Sequence, residues 1–487
     1  MSRTSRSCAR CKWLIIAFAI PVFANDASDE ARQHLRAAID SADKNDLPKA
    51  EAELFAVISN PGFAALAPSA QHTALALSAS LNLKTGKFQD ALQLSRRATE
   101  MPQQSVDDWR VRLSAAMKLG DRRDEAQSAA AIARRWGRDS ESLPNGTIMQ
   151  VLRDTAHGEA SEARFDFLQA LYEGRWRPSD GSSMNTQWVE LSRLLLERSR
   201  SEEAYIVASL VDDPRSVISF HADRRLQPLL KSKLVHSDPQ RTARDRIEAL
   251  RAAVKQQPRS LLAVRRLVAA LSSARQDAEA IKLSEQAEAR SFDDPDGLGE
   301  LLDLKASALR NLGRDEQAVH ELQRAVTLRH GSVSQSIDLA ALLCALGRSS
   351  EGLPLLPPDS QVSEFGKMMI ALVRLTAAID SGSAADRDKQ LTYLREHRLD
   401  GPGVAQSALL RAGALDEAEQ TLLWRLNDPA LRTNALLSMQ HYFEAHRPPR
   451  AAEWRTRELE LENRPSIRSA VSLVGQIDHY PWTYGYD

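Results

Sequence analysis

The sequence predicts an all-α fold, a solenoid of stacked helical hairpins in two arrays with an irregular middle segment. Three observations carry this expectation. A glycine is followed five residues later by alanine at Gly86/Ala91, Gly313/Ala318 and Gly413/Ala418. Two steps between such glycines, Gly86 to Gly120 and Gly313 to Gly347, are 34 residues long, a helical-hairpin repeat length. Aromatics make up only 5% of the 487 residues while Ala, Leu, Arg and Glu abound, which favours helix over sheet. A chain of this length exceeds one ordinary core, but a repeat array escapes that limit because each unit packs only on its neighbours.

The first 24 residues stand apart. Arg3, Arg6, Arg10 and Lys12 precede an apolar run from Trp13 to Ala24 that ends in Val22-Phe23-Ala24. This reads as a secretory signal peptide over residues 1–24, cleaved before Asn25, with a retained anchor as the alternative. The run is too short for an ordinary membrane span, and no other long apolar stretch follows. Loss of these four cations, with no acid among them, takes the net charge from −1 to −5. No basic stripe remains to suggest nucleic acid. Cys8 and Cys11 fall in the leader. Cys344, between Leu343 and Ala345, reads as a buried structural thiol, so the mature chain has no internal disulfide.

The N-terminal array is expected over residues 25–140. Asn45-Asp46-Leu47-Pro48 breaks one helix and starts another carrying Ala50, Leu54 and Val57, and Asn60-Pro61-Gly62 closes that hairpin. Leu75, Ala79 and Leu83 then line a helix, Gly86 turns the chain, and Phe88, Ala91, Leu94 and Ala98 line the next, stopped by Pro102. Glycine suits the left-handed residue that ends a helix, and alanine lets two helices approach. A third unit runs through Trp109, Leu113, Ala116 and Gly120. Its small residue, Ala126, comes one place late, which predicts a slightly distorted turn.

The middle region, 141–240, holds polar clusters at Leu143-Pro144-Asn145-Gly146 and Pro178-Ser179-Asp180-Gly181 around a helix with Phe165, Phe167 and Leu168. A hairpin with Trp188, Leu191, Leu195, Ala204 and Ala208 follows, then a short helix and loop over 221–230 and a linker at 236–240. The second array spans 241–430, with Pro354, Pro357 and Pro358 marking a disrupted helix end and Ser381-Gly382-Ser383 a divergent turn. Residues 431–487 read as capping helices and an aromatic tail. Tyr480, Trp482, Tyr484 and Tyr486 either fold back on the last helices or form a docking peptide.

Gly86, Phe88, Ala91, Ala98 and Pro102, and again Leu302, Ala306, Leu309, Gly313, Ala318, Leu322 and Ala325, resemble the tetratricopeptide repeat family. The resemblance implies a solenoid whose first helices line a concave groove that binds a protein or peptide partner. On that placement the groove residues are Thr73 and Ser80 in the N-terminal array and Glu300, Asp303, Ser307 and Arg310 in the second.

Motifs for chemistry are missing. There is no Walker-type loop, no GxGxxG after a strand, no GxSxG and no HExxH. His441 and His446 are five apart, not the three or four of a helical metal pair. Asp293, Asp294 and Asp296 lack EF-hand spacing and read as a helix-entry turn. No catalytic residue, metal or cofactor is therefore expected. The reading is a non-catalytic interaction scaffold of the bacterial cell envelope, exported to the periplasm or outer membrane. The alternative is a regulator or cryptic enzyme with a site between the two arrays, near residues 140–235.

Overall fold

In the computed structural model, nine turns among the described residues share one hydrogen-bond pattern. A residue in the left-handed region, φ between 59° and 81°, follows a helix at Asn45, Gly86, Gly120, Ser199, Arg275, Gly313, Gly347, Gly382 and Gly413. Its own N–H donates to the carbonyl three residues back, and the next N–H to the carbonyl five back. At Gly86 these bonds are Gly86 to Leu83 at 3.3 Å and Lys87 to Asn82 at 2.8 Å. At Arg275 they are Arg275 to Ser272 at 3.0 Å and Gln276 to Leu271 at 2.8 Å. This arrangement occupies two carbonyls that a helix end would leave bare, and it sends the chain back antiparallel.

The described residues are 26–482, apart from 140, 157–160, 179–182, 291–293, 329–332 and 445. The leader, Cys8 and Cys11, Asp180, Gly181 and Asp293, and Tyr484 and Tyr486 lie outside them. The chain forms two compact units, divided between Gly174 and Arg175. The expected middle region is thus shared between them.

The first unit contains three hairpins: α1 (Asp26–Asp43) with α2 (Leu47–Ser59), α3 (Pro68–Lys84) with α4 (Phe88–Thr99), and α5 (Val106–Leu119) with α6 (Arg122–Trp136). Then come α7 (Asn145–Asp154) and α8 (Ser161–Glu173), and α8 packs on α6. Helix α7 begins inside the expected polar cluster, because Pro144 permits a helix start directly after it. After α2 the chain turns through Gly62, whose position would set a Cβ 2.4 Å from the Ala27 backbone, so only glycine allows this approach to α1.

The second unit opens with α9 (Asn185–Glu197), α10 (Ser201–Ala208), α11 (Pro214–Ala222) and α12 (Pro239–Gln256). Five hairpins follow: α13 (Leu261–Ser273) with α14 (Asp277–Glu288), α15 (Pro295–Asn311) with α16 (Asp315–Leu328), α17 (Val333–Ala345) with α18 (Ser349–Gly352), α19 (Glu364–Ser381) with α20 (Ala384–Glu396), and α21 (Pro402–Arg411) with α22 (Leu415–Asn427). The unit ends in α23 (Arg432–Ser438), α24 (Pro449–Glu462) and α25 (Pro465–Val474). The fold is an all-α, tetratricopeptide-like hairpin solenoid. None of the helices among the described residues is long and apolar enough to cross a membrane.

Five residues beyond eight of these nine turns sits the contact that sets helix spacing, while the residue five beyond Gly382 is the exposed Arg387. Ala50, Ala91, Ala204, Ala280, Ala318 and Ala418 fill it, all fully buried. At the Gly347 turn the position is Gly352, where a Cβ would lie 2.8 Å from the Ala340 carbonyl oxygen. At Gly120 it is Glu125, fully buried, with Ala126 buried beside it. The expected distortion does not occur: Gly120 bonds to Met117 and Asp121 to Ala116 as at every other turn. Glu125 instead reaches toward Asp154 on α7, and Arg122 bridges the two at 3.2 and 2.7 Å. Burial, then the Asp154 charge, pushes the Glu125 carboxyl up to about 7. One buried Glu125 oxygen, Oε1, has no hydrogen-bond partner.

Helices α23 and α25 cap the end of the last array. Both pack on α22, and α23 also meets α11, so an opening and a closing helix of this unit touch. Asp223 is the centre of that contact. Fully buried, it accepts from Arg225 Nη2 at 2.7 Å and from Thr433 Oγ1 at 2.6 Å. Burial alone would raise its carboxyl, but Arg225 and Thr433 hold it below the usual aspartate range. Gln476 N–H donates to the Ala222 carbonyl at 3.0 Å, adding a backbone tie. The described part of the aromatic tail folds back on the protein. Short strands β1 (His441–Tyr442) and β2 (His479–Tyr480) pair in parallel, and Trp482 packs on Ile218, Ala243 and Leu437.

Two substitutions isolate the turn. Gly86 has open space around its missing Cβ, so Gly86→Val should cost about 1–2 kcal/mol of backbone strain alone. Ser199→Gly removes the same strain (φ 59°) and should raise stability by about 1 kcal/mol. Urea unfolding of each variant against the parent checks both signs.

Candidate functional site

The first helices of the second unit's hairpins present a charged face. Spacings of three, four and three residues put Glu300, Asp303, Ser307 and Arg310 along one side of α15. The neighbouring first helices complete the pattern. Arg265 from α13 forms an ion pair with Glu300. Asp338 from α17 comes close enough to Asp303 to act on its charge, and Arg310 acts on both acids. Asp303, Asp338 and Arg310 are half-buried, and Ser307 is exposed.

The electrostatics follow from that recess. Burial, with the nearby Asp338 charge, pushes the Asp303 carboxyl up to about 7, and Arg310 only partly opposes this. Burial likewise lifts Asp338 to about 6, again opposed by Arg310. Two carboxyls raised toward neutrality sit beside one guanidinium, in a recess that favours their neutralisation.

The N-terminal candidates are less committed. Thr73 is half-buried and spends its hydroxyl on the Ser69 carbonyl of its own helix at 2.9 Å. Ser80 is half-buried on the same helix. The ionic contact near them is His72 with Asp108, at 2.8 Å across α3 and α5. Burial would raise Asp108, but His72 and the Ser105 backbone hold it below its usual range.

Sequence reasoning missed Arg265 and Asp338. Arg265 lies ten residues before its turn residue, as Asp303 does, but Arg275 stands where glycine would have marked that turn. Asp338 lies nine residues before Gly347, one place out of register with Asp303.

Several other ionisable groups make local contacts. His441 faces His479 at 3.0 Å, while His446 faces Asp315 at 3.1 Å, so the two do not share a site. Asp294 caps α15 by accepting from Gly297 N–H at 2.9 Å, as a helix-entry turn requires. Lys305 is buried between Glu288 and Glu321, at 2.9 and 3.1 Å, and links α14, α15 and α16. Cys344 is buried, and burial raises its thiol. Glu364, His397 and Asp400 offer ligand atoms within 4.8 Å of one another, the group among the described residues with spacing suited to a metal.

No family model matches the chain, and no curated protein matches it. Among solved structures, it is similar to a tetratricopeptide repeat protein from Parabacteroides merdae at 14% identity, covering 64% of this chain and 98% of that one, with TM-score 0.30. It is also similar to the APC/C hetero-tetramer Cut9-Hcn1, at 12% identity over 91% of this chain and 89% of that chain, TM-score 0.30. A third is yeast Tom70, at 10% identity over 92% and 100%, TM-score 0.26.

The carboxyl pair predicts a pH signature. Both folded values lie above the unfolded value of 3.8. Their favourable contribution is therefore full below about pH 4 and is lost as pH rises through about 7. Asp303→Asn keeps the site neutral. It should flatten the fall in stability between pH 4 and 7 and raise the melting temperature at pH 8 by about 2–4 °C, measured by thermal unfolding across that range.

Proposed function

We propose that this chain is a non-catalytic protein-binding scaffold whose partner lies along the face formed by α13, α15 and α17. The observation that carries the reading is the recessed pair Asp303 and Asp338 beside Arg310. It faces outward from successive first helices of the stack, where a partner segment can run across several repeats. The chemistry of the pair selects a partner segment with a lysine or arginine, which would displace the protons the acids hold near neutral pH. The tetratricopeptide-like architecture supports the same reading, because a stack of hairpins offers a long, rigid surface.

Export to the cell envelope is part of the proposal. It is supported by the basic start, the short apolar run and the small-residue ending of residues 1–24. Partners would then be envelope components, and assembly of a polysaccharide-export or surface-protein complex is a role of matching kind.

An acid–base enzyme is the second reading, favoured by two carboxyls raised toward neutrality. Its site would be on α15 and α17.

Crosslinking and pull-down from envelope extracts should recover a partner that Asp303→Lys with Arg310→Glu releases, with retention dropping about tenfold. Binding should also weaken as pH falls from 8 to 5.5, as the pair takes up protons. A partner that stays bound to the charge-reversed protein at every pH would overturn the site. For export, N-terminal sequencing of the mature protein should start at Asn25, and a start at Met1 or Ser2 would end that part of the proposal.

A further inference from the structure

Where α20 ends, the chain meets the start of α19 and turns into α21, and these three helices pack on one another. Glu364 opens α19, His397 closes α20, and Asp400 follows three residues later, just before α21. The backbone fixes this junction. His397 N–H donates to the Tyr393 carbonyl at 3.0 Å, and Asp400 N–H to the His397 carbonyl at 2.9 Å. Gly401 then passes close to Phe365, where a Cβ would stand 3.5 Å from the ring, and this brings the start of α19 beside the loop.

One ligand atom from each of Glu364, His397 and Asp400 lies within 4.8 Å of the other two. His397 Nδ1 is 3.2 Å from an Asp400 oxygen. That separation matches the edge of a tetrahedral site with bonds of about 2.0 Å. It also matches a histidine–aspartate hydrogen bond, but such a pair uses neither Glu364 nor the group next to it, Tyr393. The Tyr393 ring stacks on the His397 ring, with centres 4.2 Å apart at 26°, and so orients the imidazole. The Tyr393 hydroxyl oxygen is buried and has no hydrogen-bond partner. Burial, then the Glu364 charge, raises this phenol, and Asp400 also acts on it, so its oxygen lies toward the carboxylates. A buried hydroxyl left without a partner is costly unless something joins it. The other charges nearby are engaged locally: Lys367 pairs with Glu364 at 2.7 Å, Asp359 with Arg374 at 3.3 Å, and the Arg398 guanidinium lies 5.5 Å from the centre of the Trp424 ring.

We infer that Glu364, His397 and Asp400 form a binding site for one divalent transition-metal ion of the zinc type, which pins the start of α19 to the junction of α20 and α21. The imidazole sets the class. Calcium and magnesium take oxygen ligands, whereas one ring nitrogen with two carboxylates suits zinc and its neighbours. Three protein ligands leave a fourth position for water, and the Tyr393 hydroxyl is the hydrogen-bond partner at hand to hold it. Binding draws the Glu364 carboxylate inward, a movement its exposed side chain permits. Lys367 opposes the ion by charge.

The test uses the whole chain, freed of metal by a chelator. Calorimetric titration with zinc chloride should show one equivalent that His397→Ala and Asp400→Asn each weaken by about tenfold or more. Asp400→Asn keeps the side-chain size and leaves the Tyr393 stacking in place, so it reads the ligand role where loss of the imidazole disturbs packing. Tyr393→Phe keeps the stacking and should weaken zinc less than either ligand variant. Lys367→Met should tighten it. Cys8 and Cys11 are present in parent and variants alike, so zinc held there does not alter the difference. Equal zinc uptake in the parent and in both ligand variants would overturn the proposal, as would calcium or magnesium bound as tightly as zinc. Crystals soaked in zinc should show an anomalous peak about 2.0–2.2 Å from His397 and from both carboxylates. A His397–Asp400 hydrogen bond with no such peak would sink the inference.

Discussion

Nine described hairpins turn on the same pair of backbone hydrogen bonds around one left-handed residue. The bond reaching five residues back is 2.8–3.0 Å at all nine, whether glycine or a side-chain-bearing residue occupies the centre. The bonds do two things at once. They satisfy carbonyls at the end of the first helix, and they set the angle at which the second helix leaves. With the angle set, the residue five places on faces the first helix at eight of the nine described turns, Arg387 after Gly382 being exposed. The size of that residue then sets how closely the helices approach, and the 34-residue step follows from repeating the unit.

The exceptions show how firm the constraint is. Gly352 brings its hairpin closer than alanine would permit, and α18 shortens to a single turn before Pro354. Glu125 puts a titratable group where a methyl usually sits, yet the turn before it keeps its bonds. The carboxyl is accommodated by turning toward Asp154 and Arg122. Asn45, Ser199 and Arg275 accept left-handed strain without glycine's freedom. The backbone geometry is conserved from turn to turn while the side chains adapt to it.

Charge is used differently in different parts of the second unit. Between α14, α15 and α16 it is compensated internally, with Lys305 and Arg324 between Glu288 and Glu321. At Asp223 it fastens the opening helices to the closing ones. Along α15 and α17 two acids are incompletely compensated by Arg310. That contrast is why this face carries the functional proposal.

The sequence by itself determined the helical hairpins, the placing of the glycine turns, the buried alanines and the face that holds Glu300, Asp303, Ser307 and Arg310. These depend on bonds closed within six residues and on helical periodicity, so a local reading suffices. It missed helix α7 behind Pro144, the Asn–Asp turn's kin at Ser199 and Arg275, and the packing role of Glu125, because each replaces the expected residue with one that neighbours must accommodate. Tertiary structure alone decided that Asp338 joins Asp303 and that Thr433 meets Asp223. It also decided that α24 packs on α21 and α22 and stacks Trp454 on Arg411. Those contacts join residues from 35 to 210 positions apart, and their energies depend on burial, which no local spacing encodes.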